Sequence, residues 1–148
     1  MIALLDVNLL VALAWPSHVQ HDAALGWFRE NRAAGWATCP LTQSGFVRVS
    51  SNRQVIPEAK SPQEAVDLLR RIVELPGHRF WEDDVAIATT SEIASERLLG
   101  YRQVTDAHLL ALAIRRGGRL ATFDGGIREL VPKDRSAEDV VCILSRSI

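Results

Sequence analysis

The chain opens on a run, Ile2 to Leu13, that is apolar at every position except Asp6 and Asn8. Its first part, continuous rather than alternating in hydrophobicity, predicts a buried strand of a parallel sheet covered on both faces. Asp6 falls where that strand ends, and Val7 to Trp15 reads as a short buried helix stopped near Pro16. His18 to Arg32 predicts a second helix, with Ala24, Leu25 and Phe28 inward and Arg29, Glu30 and Arg32 outward. Gly35 ends it, and Trp36 to Cys39 is a second strand. Pro40 opens a helix that runs through Val49, and residues 52–60 read as loop. Ser61-Pro62-Gln63-Glu64 is a capping box with proline at the first helical position. The helix behind it turns Val66, Leu69, Ile72 and Val73 inward and stops at Pro76-Gly77.

Arg79 to Trp81 predicts a third strand leading into Glu82-Asp83-Asp84. Thr89 to Leu99 reads as an amphipathic helix ended by Gly100. Thr105 then caps a nearly all-apolar helix, Asp106 to Ile114, stopped by Gly117-Gly118. Arg119 to Phe123 is a fourth strand closed by Asp124-Gly125-Gly126, and Val140 to Leu144 is the last. Strands alternating with helices predict an α/β fold, one domain over residues 1–148, with a mainly parallel central sheet of four to five strands.

Composition adds exclusions. With 148 residues, 47% hydrophobic and 24% charged, the chain suits one ordinary folded domain and not a disordered one. The opening run lacks a basic leader and carries Asp6 and Asn8 in its middle, which argues against a signal peptide or a membrane span; the expected location is cytoplasmic. Cys39 and Cys142 sit in apolar strand-like stretches and read as small core residues rather than a disulfide. A net charge of −1 is unlike a general nucleic-acid binder, although clustered acids at a metal site subtract from the total.

The candidate chemistry lies in three carboxylates. Asp6 and Asp124 share a design, an apolar strand followed by Asp and a turn, and in a parallel sheet both emerge at the edge where ligands bind. Asp106 stands at the start of a buried helix, where free N–H groups and the helix dipole favour a negative charge. Carboxylates brought together repel unless a cation neutralises them, and an oxygen-only donor set points to Mg2+ or Mn2+ rather than zinc. His18 and His21 are spaced to share a metal but have no third ligand, so they read as a polar helix face. Glu82-Asp83-Asp84 reads as a solvated loop, Glu92 and Glu96 as an exposed helix face, and Asp134, Glu138 and Asp139 as part of a polar loop.

Five stretches together resemble the PIN-domain ribonucleases, and within them the VapC toxins of toxin–antitoxin modules. They are Leu4-Leu5-Asp6-Val7-Asn8, Leu41 to Val49, His78 to Asp84, Thr105 to Ala113, and Leu120 to Asp124. The resemblance implies a Rossmann-like three-layer α/β/α fold and a Mg2+- or Mn2+-dependent endoribonuclease. It also implies a homodimer restrained by a VapB-type antitoxin. On the family pattern Asp6, Asp106 and Asp124 match catalytic and metal-binding acids. Asn8 matches a polar position near the metal, Thr122 a supporting hydroxyl, and Thr105 the residue before the helical acid. The family usually has Glu where this chain has Gln43, and often an acid or Asn where it has Gly126. Both departures remove negative charge, because Gln offers only a neutral carbonyl oxygen.

The mechanism implied is metal-assisted hydrolysis of RNA, with Arg48, Arg53, Arg115 and Arg116 as the candidate contacts to the phosphate backbone. The rivals are a degenerate PIN domain that binds RNA or antitoxin without cutting, and a phosphotransferase of the haloacid-dehalogenase type. The latter needs a second Asp where Asn8 stands and a downstream strand-end lysine, for which Lys60 and Lys133 are badly placed.

Overall fold

The apolar run at the N-terminus folds as strand β1 (Ala3–Leu5) and ends in Asp6, which caps helix α1 (Val7–Ala14). The computed structural model describes residues 1–145; the expected single domain extends over residues 146–148, which lie outside the described part. Helix α2 (His21–Asn31), strand β2 (Trp36–Thr38), helix α3 (Pro40–Ser50), helix α4 (Pro62–Val73) and strand β3 (His78–Phe80) follow in order. A long irregular stretch precedes helix α5 (Val104–Arg115). Strand β4 (Arg119–Thr122), a 3-10 segment Gly125–Leu130, the short helix α6 (Ala137–Val140) and strand β5 (Val141–Ile143) complete the fold.

The five strands lie in the order β3-β2-β1-β4-β5, every pair parallel. Alternation along the strands sends side chains to two cores. Ala3, Leu5, Trp36 and Ala121 face a cluster with Leu9, Leu10, Phe28 and Phe46. Leu4, Ala37 and Leu120 face a second cluster built from the almost wholly buried α5. This is the three-layer α/β/α arrangement with a mainly parallel sheet that the sequence predicts. An apolar core on each face of the sheet explains why the strand sequences do not alternate in polarity.

Two glycines let the layers approach. A Cβ at Gly45 would sit 2.6 Å from Val7 Cγ2, so α3 packs on α1 only because that atom is missing. A Cβ at Gly118 would meet the Ile2 carbonyl oxygen at 2.4 Å, where the chain leaves α5 to lie beside β1.

Three expectations need correction. Residues 89–99 form no α-helix; they hold turns and a 3-10 segment, Ser95–Arg97. Thr90 accepts from the Glu92 N–H and donates to its carboxylate, a local arrangement that competes with helix hydrogen bonding. Ala94 N–H donates to the Leu130 carbonyl, which fixes the stretch by tertiary contact. Thr105 does not cap α5: the helix starts at Val104 after Gln103, and Thr105 is exposed in the first turn. The second helix is shorter than expected, since His18 lies outside it: its Nδ1 accepts from the Gln20 N–H and holds a turn. Among the described residues no helix is long and apolar enough to cross a membrane.

Candidate active site

The strand order places a topological switch at β1, whose neighbours β2 and β4 lead away on opposite sides. Ligand sites of open parallel sheets lie at such a point, beyond the carboxyl ends of the strands. Asp6 follows β1 and Asp124 follows β4 at that edge, while α5 brings Asp106 there in its first turn.

Asp6 is 4% exposed and is the most constrained of the three. As the N-cap of α1 it accepts from the Leu9 N–H at 2.7 Å through Oδ1, and its Oδ2 accepts from the Thr122 hydroxyl. Thr122 is itself fully buried, and its Oγ1 also accepts from the Asp124 N–H at 3.1 Å. One hydroxyl thus ties the end of β1 to the residue that ends β4. Asp124 is exposed and takes a hydrogen bond from the Gly126 N–H at 2.9 Å, so the glycine supplies a backbone donor where a side-chain acid was expected.

Burial pushes the Asp6 carboxyl up to about 7, against the hydrogen bonds from Thr122 and Leu9, and the charges of Asp106 and Asp124 push it the same way. Burial, then Asp124, raises Asp106 to about 6. The three acids therefore feel one another pairwise. Among the described residues none of them is ion-paired with Lys, Arg or His. A buried, hydrogen-bonded carboxylate with acid neighbours and no cationic partner is an oxygen site that a hard divalent ion would neutralise. The donor set thus fits Mg2+ or Mn2+. It is not a closed cage: among the described residues no three His, Cys, Asp or Glu groups stand ready to hold an ion by themselves.

Of the remaining candidates, Asn8 is exposed on the first turn of α1, beside the site. Gln43 turns elsewhere: its Nε2 donates to Thr38 Oγ1 at 3.0 Å, and that hydroxyl lies 2.7 Å from His78 Nε2. Arg115 and Arg116 do not reach toward the carboxylates. Arg115 pairs with Asp84 at 3.0 Å and Glu92 at 3.5 Å, and Arg116 with Asp84 at 3.5 Å and the Glu82 carbonyl. Both arginines clamp the acidic stretch against α5. Arg48 and Arg53 are exposed. His21 Nδ1 bonds the Ala12 carbonyl at 2.8 Å.

The sequence reading missed one pair. Asp83, taken for part of a solvated loop, is only 15% exposed and bonds His108 Nε2 at 2.6 Å, with His108 at 20%. It stitches the acidic stretch to α5 two residues from Asp106. The available signal was His108 itself, a single polar residue inside an otherwise apolar helix.

The family model for the PIN domain matches residues 3–131. Ribonuclease VapC38 of Mycobacterium tuberculosis (strain ATCC 25618 / H37Rv) is 54% identical over 125 residues, covering 84% of this chain and 86% of that protein. Ribonuclease VapC39 of the same strain is 48% identical over 129 residues, covering 87% and 93%. A chain in the crystal structure of VapBC2 from Rickettsia felis bound to a DNA fragment from their promoter matches with a TM-score of 0.67. It covers 98% of this chain and 100% of that one at 12% identity, a likeness of fold.

Proposed function

The chain belongs to the PIN-domain family, and on that premise we propose that it is a VapC-type endoribonuclease, the toxin of a toxin–antitoxin module, hydrolysing phosphodiester bonds in RNA. The observation that carries the reading is Asp6, buried and hydrogen-bonded, facing Asp106 and Asp124 with no cationic partner among the described residues. Relatives of 48% and 54% identity bearing the name ribonuclease support it, and lend nothing to a degenerate domain that binds without cutting.

In the proposed mechanism Asp6 and Asp106 would hold a divalent ion, Mg2+ or Mn2+, and Asp124 would either join them or position the attacking water. When bound, the ion lowers the pKa of its water and offsets charge on the phosphate. Mg2+ usually keeps several waters and takes one or two carboxylates plus a substrate phosphate, which suits an open set better than a closed cage. Thr122 holds Asp6 by donating to it and holds the Asp124 backbone by accepting from it, so both acids keep their places while charge changes. The N-terminal turns of α1 and α5 point their positive ends at Asp6 and Asp106. Gln43, held by Thr38, adds no charge to this set. A VapB-type antitoxin, a homodimer and a cytoplasmic setting complete the proposal; the fold match to a VapBC complex supports the antitoxin.

The test is cleavage of single-stranded RNA with Mg2+ or Mn2+, comparing the natural protein with Asp6→Asn. Metal-dependent cleavage by the natural protein alone is expected. Equal cleavage by both proteins refutes the site, and none by either refutes the ribonuclease.

A further inference from the structure

Beside the carboxylates lies a small cavity to which the catalytic reading gives no task. Its volume is about 280 Å3, and its lining is Asn8, His18, Val19, Gln20 and Phe123. The walls come from the first turn of α1, the turn between α1 and α2, and the end of β4. Two of them are joined to the site through the chain, since Asn8 is two residues past Asp6 and Phe123 stands between Thr122 and Asp124. Two residues span at most about 7 Å, so the backbones of Asn8 and Phe123 in the cavity wall run next to those of Asp6 and Asp124.

Its chemistry is that of a planar, uncharged ligand. Phe123 packs half-buried against the apolar core and keeps part of its ring open. Val19 is 82% exposed and widens the apolar wall. His18 is fixed by the hydrogen bond that Nδ1 accepts from the Gln20 N–H at 3.0 Å, which leaves the ring proton on Nε2. The imidazole therefore presents an aromatic face and one N–H donor. Asn8 adds an amide that both donates and accepts. Among the described residues no Lys or Arg lines the cavity, so it does not suit a phosphate. Its volume lies just under the range of about 300–1,000 Å3 usual for drug-sized ligands, which suits one ring system.

We infer that this cavity is a base subsite, in which one unpaired base next to the scissile phosphate stacks on Phe123 and is read at its edge by Asn8. The inference rests on the ribonuclease reading and deepens it, by assigning a sequence preference to named residues. Single-stranded RNA is read on splayed-out bases stacked on Phe and His side chains. Truncating such a stacking partner lowers affinity roughly five- to hundredfold per base.

The test separates binding from cleavage. Fluorescent hexaribonucleotides, varied base by base at each position, are bound to the Asp6→Asn protein, which does not cut them. A preference for one base at one position is expected, at least fivefold. Adding Phe123→Leu, which keeps apolar bulk without a π face, should erase the preference and weaken binding by fivefold or more. Adding Phe123→Tyr should preserve both. In the otherwise natural enzyme Phe123→Leu should raise KM more than it lowers kcat, and Asn8→Ala should change which base is preferred. Melting curves check that the Phe123 variants fold. Equal affinity and unchanged preference in folded Phe123→Leu overturn the subsite, as does a failure of every hexamer to bind. If the natural protein still cleaves longer RNA in that case, the subsite alone falls. If hexamers bind with a Phe123-dependent preference but no RNA is cut, the subsite stands and the ribonuclease reading falls.

Discussion

Asp6→Asn should make the metal-free protein more stable at pH 8, and by a clearly smaller margin at pH 5. An unfolded Asp ionises near 3.8, whereas Asp6 in the folded chain holds its proton up to about 7. Between those values the folded state binds one more proton than the unfolded state, so stability falls as pH rises. The contribution is fully present below about pH 4 and gone above about pH 7. Each pH unit in that window is worth about 1.4 kcal/mol, so the natural protein should lose on the order of 3 kcal/mol from pH 5 to pH 7 through Asp6 alone. For a chain of this size that corresponds to a fall in Tm of roughly 6–12 °C. Asparagine keeps the acceptor for the Leu9 N–H and turns an N–H toward the Thr122 hydroxyl, which has a spare lone pair. It cannot ionise, so this share of the pH dependence disappears. Asp106 titrates near 6, so any slope left in the variant should end about a unit below that of the natural protein. Urea unfolding at pH 5 and pH 8 in the presence of a chelator measures both proteins. Saturating Mn2+ should then restore the natural protein at pH 8 and not the variant; a ligand at a hundred times its Kd adds about 2.7 kcal/mol. The reasoning is refuted if the variant is no more stable than the natural protein at pH 8, or if the gap between them is the same at both pH values.

Other expectations follow from single contacts. Thr122→Val removes the donor to Asp6 and the acceptor for the Asp124 N–H, so RNA cleavage should fall roughly ten- to hundredfold, in keeping with about 1.5–3 kcal/mol for a hydrogen bond to a charged group; Thr122→Ser should retain most activity in the same kinetic assay. Gly45→Ala presses a methyl group into Val7 and should destabilise by about 1–3 kcal/mol in denaturant unfolding, with much of the loss recovered by adding Val7→Ala. His108→Ala leaves Asp83 without its partner and should cost about 1–3 kcal/mol, with faster hydrogen exchange over residues 82–92 than in the natural protein. Gln43→Glu adds a negative charge at the sheet edge and should tighten Mn2+ binding several-fold by calorimetry; unchanged affinity would show that position 43 lies outside the field of the metal site.

Local sequence was enough for much of this. The unbroken apolar run at residues 2–5 and the apolar pair Leu120-Ala121 identified buried parallel strands, because only a sheet covered on both faces gives both sides of a strand an apolar contact. Ser61 with Glu64 fixed the start of α4 through two reciprocal hydrogen bonds within one turn. The strand-end positions of Asp6 and Asp124 and the first-turn position of Asp106 were equally legible, since each depends on neighbours a few residues away. Where the signal was local but the outcome was not, the reading failed. Residues 89–99 have a helical pattern of apolar positions, yet Ile93 and Ala94 are buried against the segment after β4 in a non-helical path. Asp83 looked like one of three solvated acids until α5 laid His108 against it, and Arg115 and Arg116 looked free until the same packing brought Asp84 and Glu92 within reach. Above all, residue types said that Asp6 was costly to bury but not what surrounds it. The pairing of β1 with β4 decided that, by setting Thr122 against one oxygen of Asp6 and bringing Asp124 close, with no basic side chain among the described residues to answer the charge. Hydrogen bonds within a turn can be read from spacing; a field made by residues more than a hundred positions apart exists only once the sheet has brought them together.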